Sequence, residues 1–181
     1  ATAGNGLTGA HAFDASAQTI AGASGTLDIV AVQPDGTVDT DGSGNPRVIS
    51  VDLSAAAAAS NGQIGDGADF NNGVPVGPGG PATDFLDQLN QRINDQVDIL
   101  GDGTDNNNSG LNQTGSSTDG FRITAPDANG RSQITLTNPF GDGTTDFTIR
   151  TNGARIESNQ INAQNTDPSA NDTPDRNFSH F

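Results

Sequence analysis

The chain has 181 residues, 22 acidic against 7 basic side chains for a formal net charge of -15, and no Cys, Met, Trp, Tyr or Lys. Seven arginines scattered singly do not form the clustered cations that phosphate binding needs, which argues against nucleic acid and anionic membranes as partners. Without Cys there is no disulfide framework, and no stretch approaches the ~20 apolar residues of a membrane-spanning helix, so membrane insertion is not expected. The acidity is almost all Asp, with Glu157 the only Glu. Asp bonds to its own backbone in turns and helix caps, whereas Glu extends helices. Together with 24 Gly, this predicts a protein of turns, short strands and solvated loops. Ile, Leu, Val and Phe supply about a fifth of the residues, at the edge of what a packed core requires. Their clustering predicts a small core with long polar loops. The N-terminus shows no basic region and no apolar run of the signal-peptide kind. A chain starting without Met is expected to be a processed product or an excised piece of a larger protein.

Residues 1–25 are small and polar, with Leu7, Phe13 and Ile20 as anchors, and are expected to be an extension or one edge strand. From Thr26 the segment TLDIVAV alternates, with Leu27, Ile29 and Ala31 on one face. After the turn-rich QPDGTVDTDGSGNP, the segment RVISVDLS alternates again through Ile49, Val51 and Leu53. These two strands are expected to pair antiparallel. The five alanines between Ser54 and Ser60 fit a short helix or a strand extension. Residues 60–82 carry Gly and Pro at a density that predicts a loop or linker.

The clearest helix spans 83–100. Leu86, Leu89, Ile93, Val97 and Leu100 recur at three- and four-residue steps as one apolar stripe. Thr83 or Asp84 can cap it, Asp84 and Asp87 fall in its first turn, and Gly101 stops it. Beyond a second polar loop come FRITA, SQITLTN and DFTIR, expected as a meander joined by hairpins at DANGR and PFGDGTTD. Residues 154–161 could add a last strand, and 162–181 read as a polar tail or connector. The expected fold class is mainly β, α+β: one antiparallel sheet of five to six strands over residues 26–161, with one amphipathic helix packed on it.

Few residues suggest a chemistry. His11 and His180 lie in polar sequence near the ends, and there is no nucleophile elbow. Paired carboxylates are available in number, but no Trp or Tyr offers a sugar platform. The chain is therefore read as non-enzymatic. One pattern matches the first half of a calcium-binding loop: Asp39, Asp41, Ser43, Gly44 and Asn45 place oxygens at alternate positions with Gly at the sharp turn. Asp105, Asn107, Ser109 and Gly110 repeat it more weakly. Neither has the bidentate Glu at position twelve, where Ser50 and Ser116 stand. The competing reading is a set of Asp-Gly turns, so the expected cofactor is none, with calcium as the alternative. GDG recurs at 65, 101 and 141 without similar flanks, so no repeat is read. Four N-x-S/T sequons, at Asn107, Asn112, Asn171 and Asn177, fall in predicted loops.

About 80 residues, from ATDFLDQLNQRIND through DGFRITAPDANGRSQITLTNPFGDGTTDFTI, resemble a module of the outer domains of flagellar hook proteins, hook-associated proteins and some flagellins. Phe85, Leu86, Leu89, Asn90 and Ile93 match its helix motif. Gly130, Arg131, Ile134, Leu136 and Thr137 match its "GrItLtn" strand, and Phe147 and Ile149 its last strand. The closing PDRNFSHF is similar to the segment where hook chains return to the inner domain. The chain lacks the long terminal helices by which axial proteins build their core tube. The resemblance therefore implies an outer domain that does not polymerise alone. It further implies an extracellular, cell-surface location, with copies of itself or neighbouring filament subunits as partners. Two alternatives stay open: a self-sufficient fibre or pilus subunit assembling by strand exchange, and a calcium-dependent adhesion or carbohydrate-binding module.

Overall fold

A computed structural model describes residues 6–8, 20–67, 84–99, 119–141 and 144–158. The strands are β1 (Gly6–Thr8), β2 (Ile20–Val32), β3 (Val48–Asp52), β4 (Gly120–Ile123), β5 (Ile134–Thr137) and β6 (Asp146–Ser158), with helices α1 (Leu53–Ala59) and α2 (Phe85–Ile99) between β3 and β4. The protein is mostly β, as expected, but its strands form two antiparallel sheets rather than one, ordered β3-β2-β6 and β1-β5-β4.

The expected pairing of the first two strands is present, with Leu27 opposite Val51 and Ile29 opposite Ile49. The expected hairpin at DANGR joins β4 to β5. The expected hairpin at PFGDGTTD does not form. After Asn138, whose φ is 44°, Phe140 anchors in the core, and the chain crosses to pair β6 with β2. The side of β5 that a third meander strand would have used is taken by β1, with Leu7 opposite Leu136. The alanine run is a second helix: Asp52 caps it, accepting from the Ala55 N–H at 3.0 Å, and Leu53 and Ala56 are its buried residues.

β6 absorbs both DFTIR and the extension expected after it. Half-buried Phe147 and Ile149 lie on its inner face, and beyond the register shift at Asn152 and Gly153 the buried positions become Ala154 and Ile156. A bulge of this kind changes the phase of alternation by one residue while the strand continues.

Among the described residues one core joins both helices to both sheets. Leu27, Ile29, Ala31, Ile49 and Val51 from the first sheet meet Leu53 and Ala56 of α1, Phe85, Leu86, Leu89 and Ile93 of α2, and Phe121 and Leu136 of the second sheet. Helix α2 touches β3 of one sheet and β4 of the other, so its stripe faces a junction between sheets. The segment expected as linker is partly built into this junction. Ile64 is buried, and the Gln63 and Ile64 carbonyls accept from the Phe85 and Leu86 N–H groups at 2.8 and 3.0 Å. Asp87 reaches back to the Asp84 N–H at 3.0 Å, and Asn61 donates to Asp84 at 2.7 Å. The Gln63 and Ile64 carbonyls and the Asp87 carboxylate thus satisfy amides that a helix N-terminus leaves open.

Candidate functional site

The residues from Asp39 to Asn45 lie in the connection between β2 and β3. Asp41 Oδ1 accepts from the Ser43 and Asn45 N–H groups at 2.8 and 2.9 Å, and Asp41 Oδ2 from Asn45 Nδ2 at 3.3 Å. The Gly44 N–H donates to the Asp41 carbonyl at 2.9 Å, and the Asp41 N–H to the Asn45 carbonyl at 2.8 Å. These bonds close a tight reversal with Gly44 at φ 83°, a conformation that suits Gly. Asp39 is engaged separately: Oδ1 takes the Thr40 N–H at 3.0 Å and Oδ2 pairs with Arg47 at 2.8 Å. Arg47 also lies 5.2 Å from the Phe140 ring centroid. The structure therefore brings the predicted ligands Asp39, Asp41, Ser43 and Asn45 into one loop, with both carboxylates accepting from protein donors. Asp105, Asn107, Ser109, the four sequons and both His lie outside the described residues.

Residues 127–131 build the same loop. Asp127 Oδ1 accepts from the Asn129 and Arg131 N–H groups at 2.8 and 2.9 Å. The Gly130 N–H donates to the Asp127 carbonyl at 2.9 Å, and the Asp127 N–H to the Arg131 carbonyl at 2.8 Å. The shared pattern is Asp, then Ser or Asn two residues on, then Gly. The segment with a calcium-loop pattern and the segment with a hairpin pattern are thus one device used twice.

Electrostatics follow from these bonds. The Asn45 and then the Ser43 amide hold the Asp41 carboxyl below its ordinary value. The Arg131 and Asn129 amides do so for Asp127, and the Thr37 hydroxyl and then its amide for Asp35. All three are turn acids. Among the described residues, no three of His, Cys, Asp and Glu stand close enough to share a metal ion. A shallow, open groove of about 210 Å³ lies between Gln33, Pro34, Asp39, Thr145 and Asp146.

The most organised polar residues are ones that sequence reasoning left out or treated as helix-motif matches. Asn90, on α2, is fully buried. Its Oδ1 accepts from the Phe121 N–H at 2.6 Å, and its Nδ2 donates to the Phe121 and Gly67 carbonyls, both at 2.9 Å. Every strong bonding position of the amide is used except one lone pair. Gly67 has φ 78°, and a Cβ there would lie 2.0 Å from the Phe121 oxygen, so the approach admits only Gly. Six residues further on, Gln96 repeats the arrangement at the other sheet. Its Oε1 accepts from the Ser50 N–H at 2.8 Å and its Nε2 donates to the Ser50 carbonyl at 2.6 Å. Each amide imitates a neighbouring strand's backbone, Asn90 for β4 and Gln96 for β3. A polar residue on the helix stripe between Leu89 and Ile93 is the one sequence signal that pointed to Asn90.

No protein-family model, curated protein or solved structure matches this chain.

Proposed function

We propose that this chain is a non-enzymatic structural module of an extracellular surface filament, of the kind that flagellar hook-type outer domains represent, working through contacts with neighbouring subunits. One observation carries the reading. The helix residues that bear the resemblance, Phe85, Leu86, Leu89, Asn90 and Ile93, are all buried, as is Leu136 of its strand motif, while Ile134, Phe147 and Ile149 are half-buried against the same core. The succession β2, β3, α2, β4, β5, β6, with β1 ahead of it and α1 inserted, supports the same reading. The assignment of Asn90, Gln96, Asp41 and Asp127 to holding backbone fits a mechanical role.

Immunogold electron microscopy on cells that make the protein tests the proposal. Label spaced along a surface filament, lost when filaments are sheared off, is the expected result. Label confined to the cell interior would overturn it.

A further inference from the structure

The outer strands of the two sheets are finished in different ways. β1 has only three residues, Asn90 occupies the outer side of β4 at Phe121, and Gln96 that of β3 at Ser50. β6 has 13 residues and pairs only with β2 among the described strands. The Ala31 N–H donates to the Arg47 carbonyl, so Leu27, Ile29 and Ala31 bond toward β3, while Asp28, Val30 and Val32 bond toward β6. Their partners Arg150, Thr148 and Asp146 therefore turn N–H and C=O inward. Phe147, Ile149 and Thr151 turn theirs outward, where no described residue meets them. This outer row is the sort of edge that proteins otherwise shorten, charge or cover.

We propose that it pairs antiparallel with the same edge of a second copy, about a two-fold axis through Thr148. In that register Asp146 stands opposite the partner's Arg150 on the solvent face, and Arg150 opposite the partner's Asp146. Phe147 stands opposite the partner's Ile149 on the inner face. Opposite charges and aromatic with β-branched side chains are favourable cross-strand pairs, and the two-fold makes each twice. Moving the axis by one residue sets Asp146 and Arg150 against Thr144, Thr148 or Asn152, so the charge pattern selects one register. The product is a continuous six-stranded sheet. This inference goes beyond the filament reading and does not depend on it.

The chain has no Cys, which allows a register-specific test on the whole 181-residue protein. Thr148 would face itself as a non-hydrogen-bonded pair with Cα atoms about 4.5 Å apart, within disulfide reach. Arg150 would stand roughly 14 Å from its own copy, beyond it. Mild oxidation is expected to link Thr148→Cys into dimers and leave Arg150→Cys monomeric. Equal linking of both, or of neither, would overturn the proposal. In sedimentation equilibrium, Asp146→Arg and Arg150→Asp should each weaken self-association about tenfold, and the combined variant should restore it. Circular dichroism confirms that each variant is folded. A wild-type protein monomeric at every concentration would also overturn the proposal, and would assign the edge to another occupant.

Discussion

Asn90 and Gln96 perform the same task on one helix at two depths. Both offer an amide to the N–H and C=O of a single strand residue, Phe121 in β4 and Ser50 in β3. Asn90 is wholly buried and serves a third group, the Gly67 carbonyl, whereas Gln96 is half-exposed and water can replace it. The difference teaches that a hydrogen bond's worth is set by what remains when it is lost. A buried group left unsatisfied costs its whole desolvation, and a wetted one costs little.

Asn90→Ala breaks the comparison most severely. It takes the Asn90 partner from the buried Phe121 N–H and from the Phe121 and Gly67 carbonyls, and is expected to destabilise the protein by roughly 3 kcal/mol in urea denaturation. Against a total stability on the order of 5–15 kcal/mol, that is a large fraction. Gln96→Ala is expected to cost about 0.5–1 kcal/mol in the same experiment. A loss equal to that of Asn90→Ala would mean that burial is not what separates them.

The turn acids come next in size. The Asp35, Asp41 and Asp127 carboxyls are held below their ordinary 3.8 by bonds that exist only in the fold. They therefore contribute stability above that value, and the contribution is lost as pH falls through the depressed folded values. The melting temperature is expected to fall on acidification below about pH 4, and Asp127→Asn should flatten that dependence. A steeper acid dependence in Asp127→Asn would contradict the assignment. The smallest effect concerns calcium. Asp41 and Asp39 already accept from protein donors, so titrating calcium into EDTA-stripped protein is expected to leave the melting temperature unchanged. A rise of many degrees would reopen the adhesion-module reading.

Local patterning made much of this fold legible. Period-two alternation located Leu27, Ile29, Ile49 and Val51, and a three- and four-residue stripe located Leu86, Leu89 and Ile93, all of them buried. What it could not supply was partner choice. Whether DFTIR pairs with β5 or with β2 depends on β1 having taken the side of β5, a contact between residues 7 and 136. The phase change at Asn152 and Gly153 disguised one long strand as two pieces. At the candidate site, oxygens at alternate positions served turns and calcium loops equally well on paper. In the fold the Asp41 and Asp127 carboxylates accept from the Ser43, Asn45, Asn129 and Arg131 amides, bonds that the spacing of oxygens alone does not specify. Asn90 was legible only as a motif letter, because bonds to Phe121 and Gly67, 31 and 23 residues away, leave no local pattern.

Native-state hydrogen exchange at the Phe121 and Ser50 amides tests the central claim, that α2 ties the two sheets together through one buried and one wetted amide. Phe121 is expected to exchange only through global unfolding, with a free energy matching that from denaturation, and Ser50 through a much cheaper local opening. Phe121 exchanging as readily as Ser50 would contradict the account.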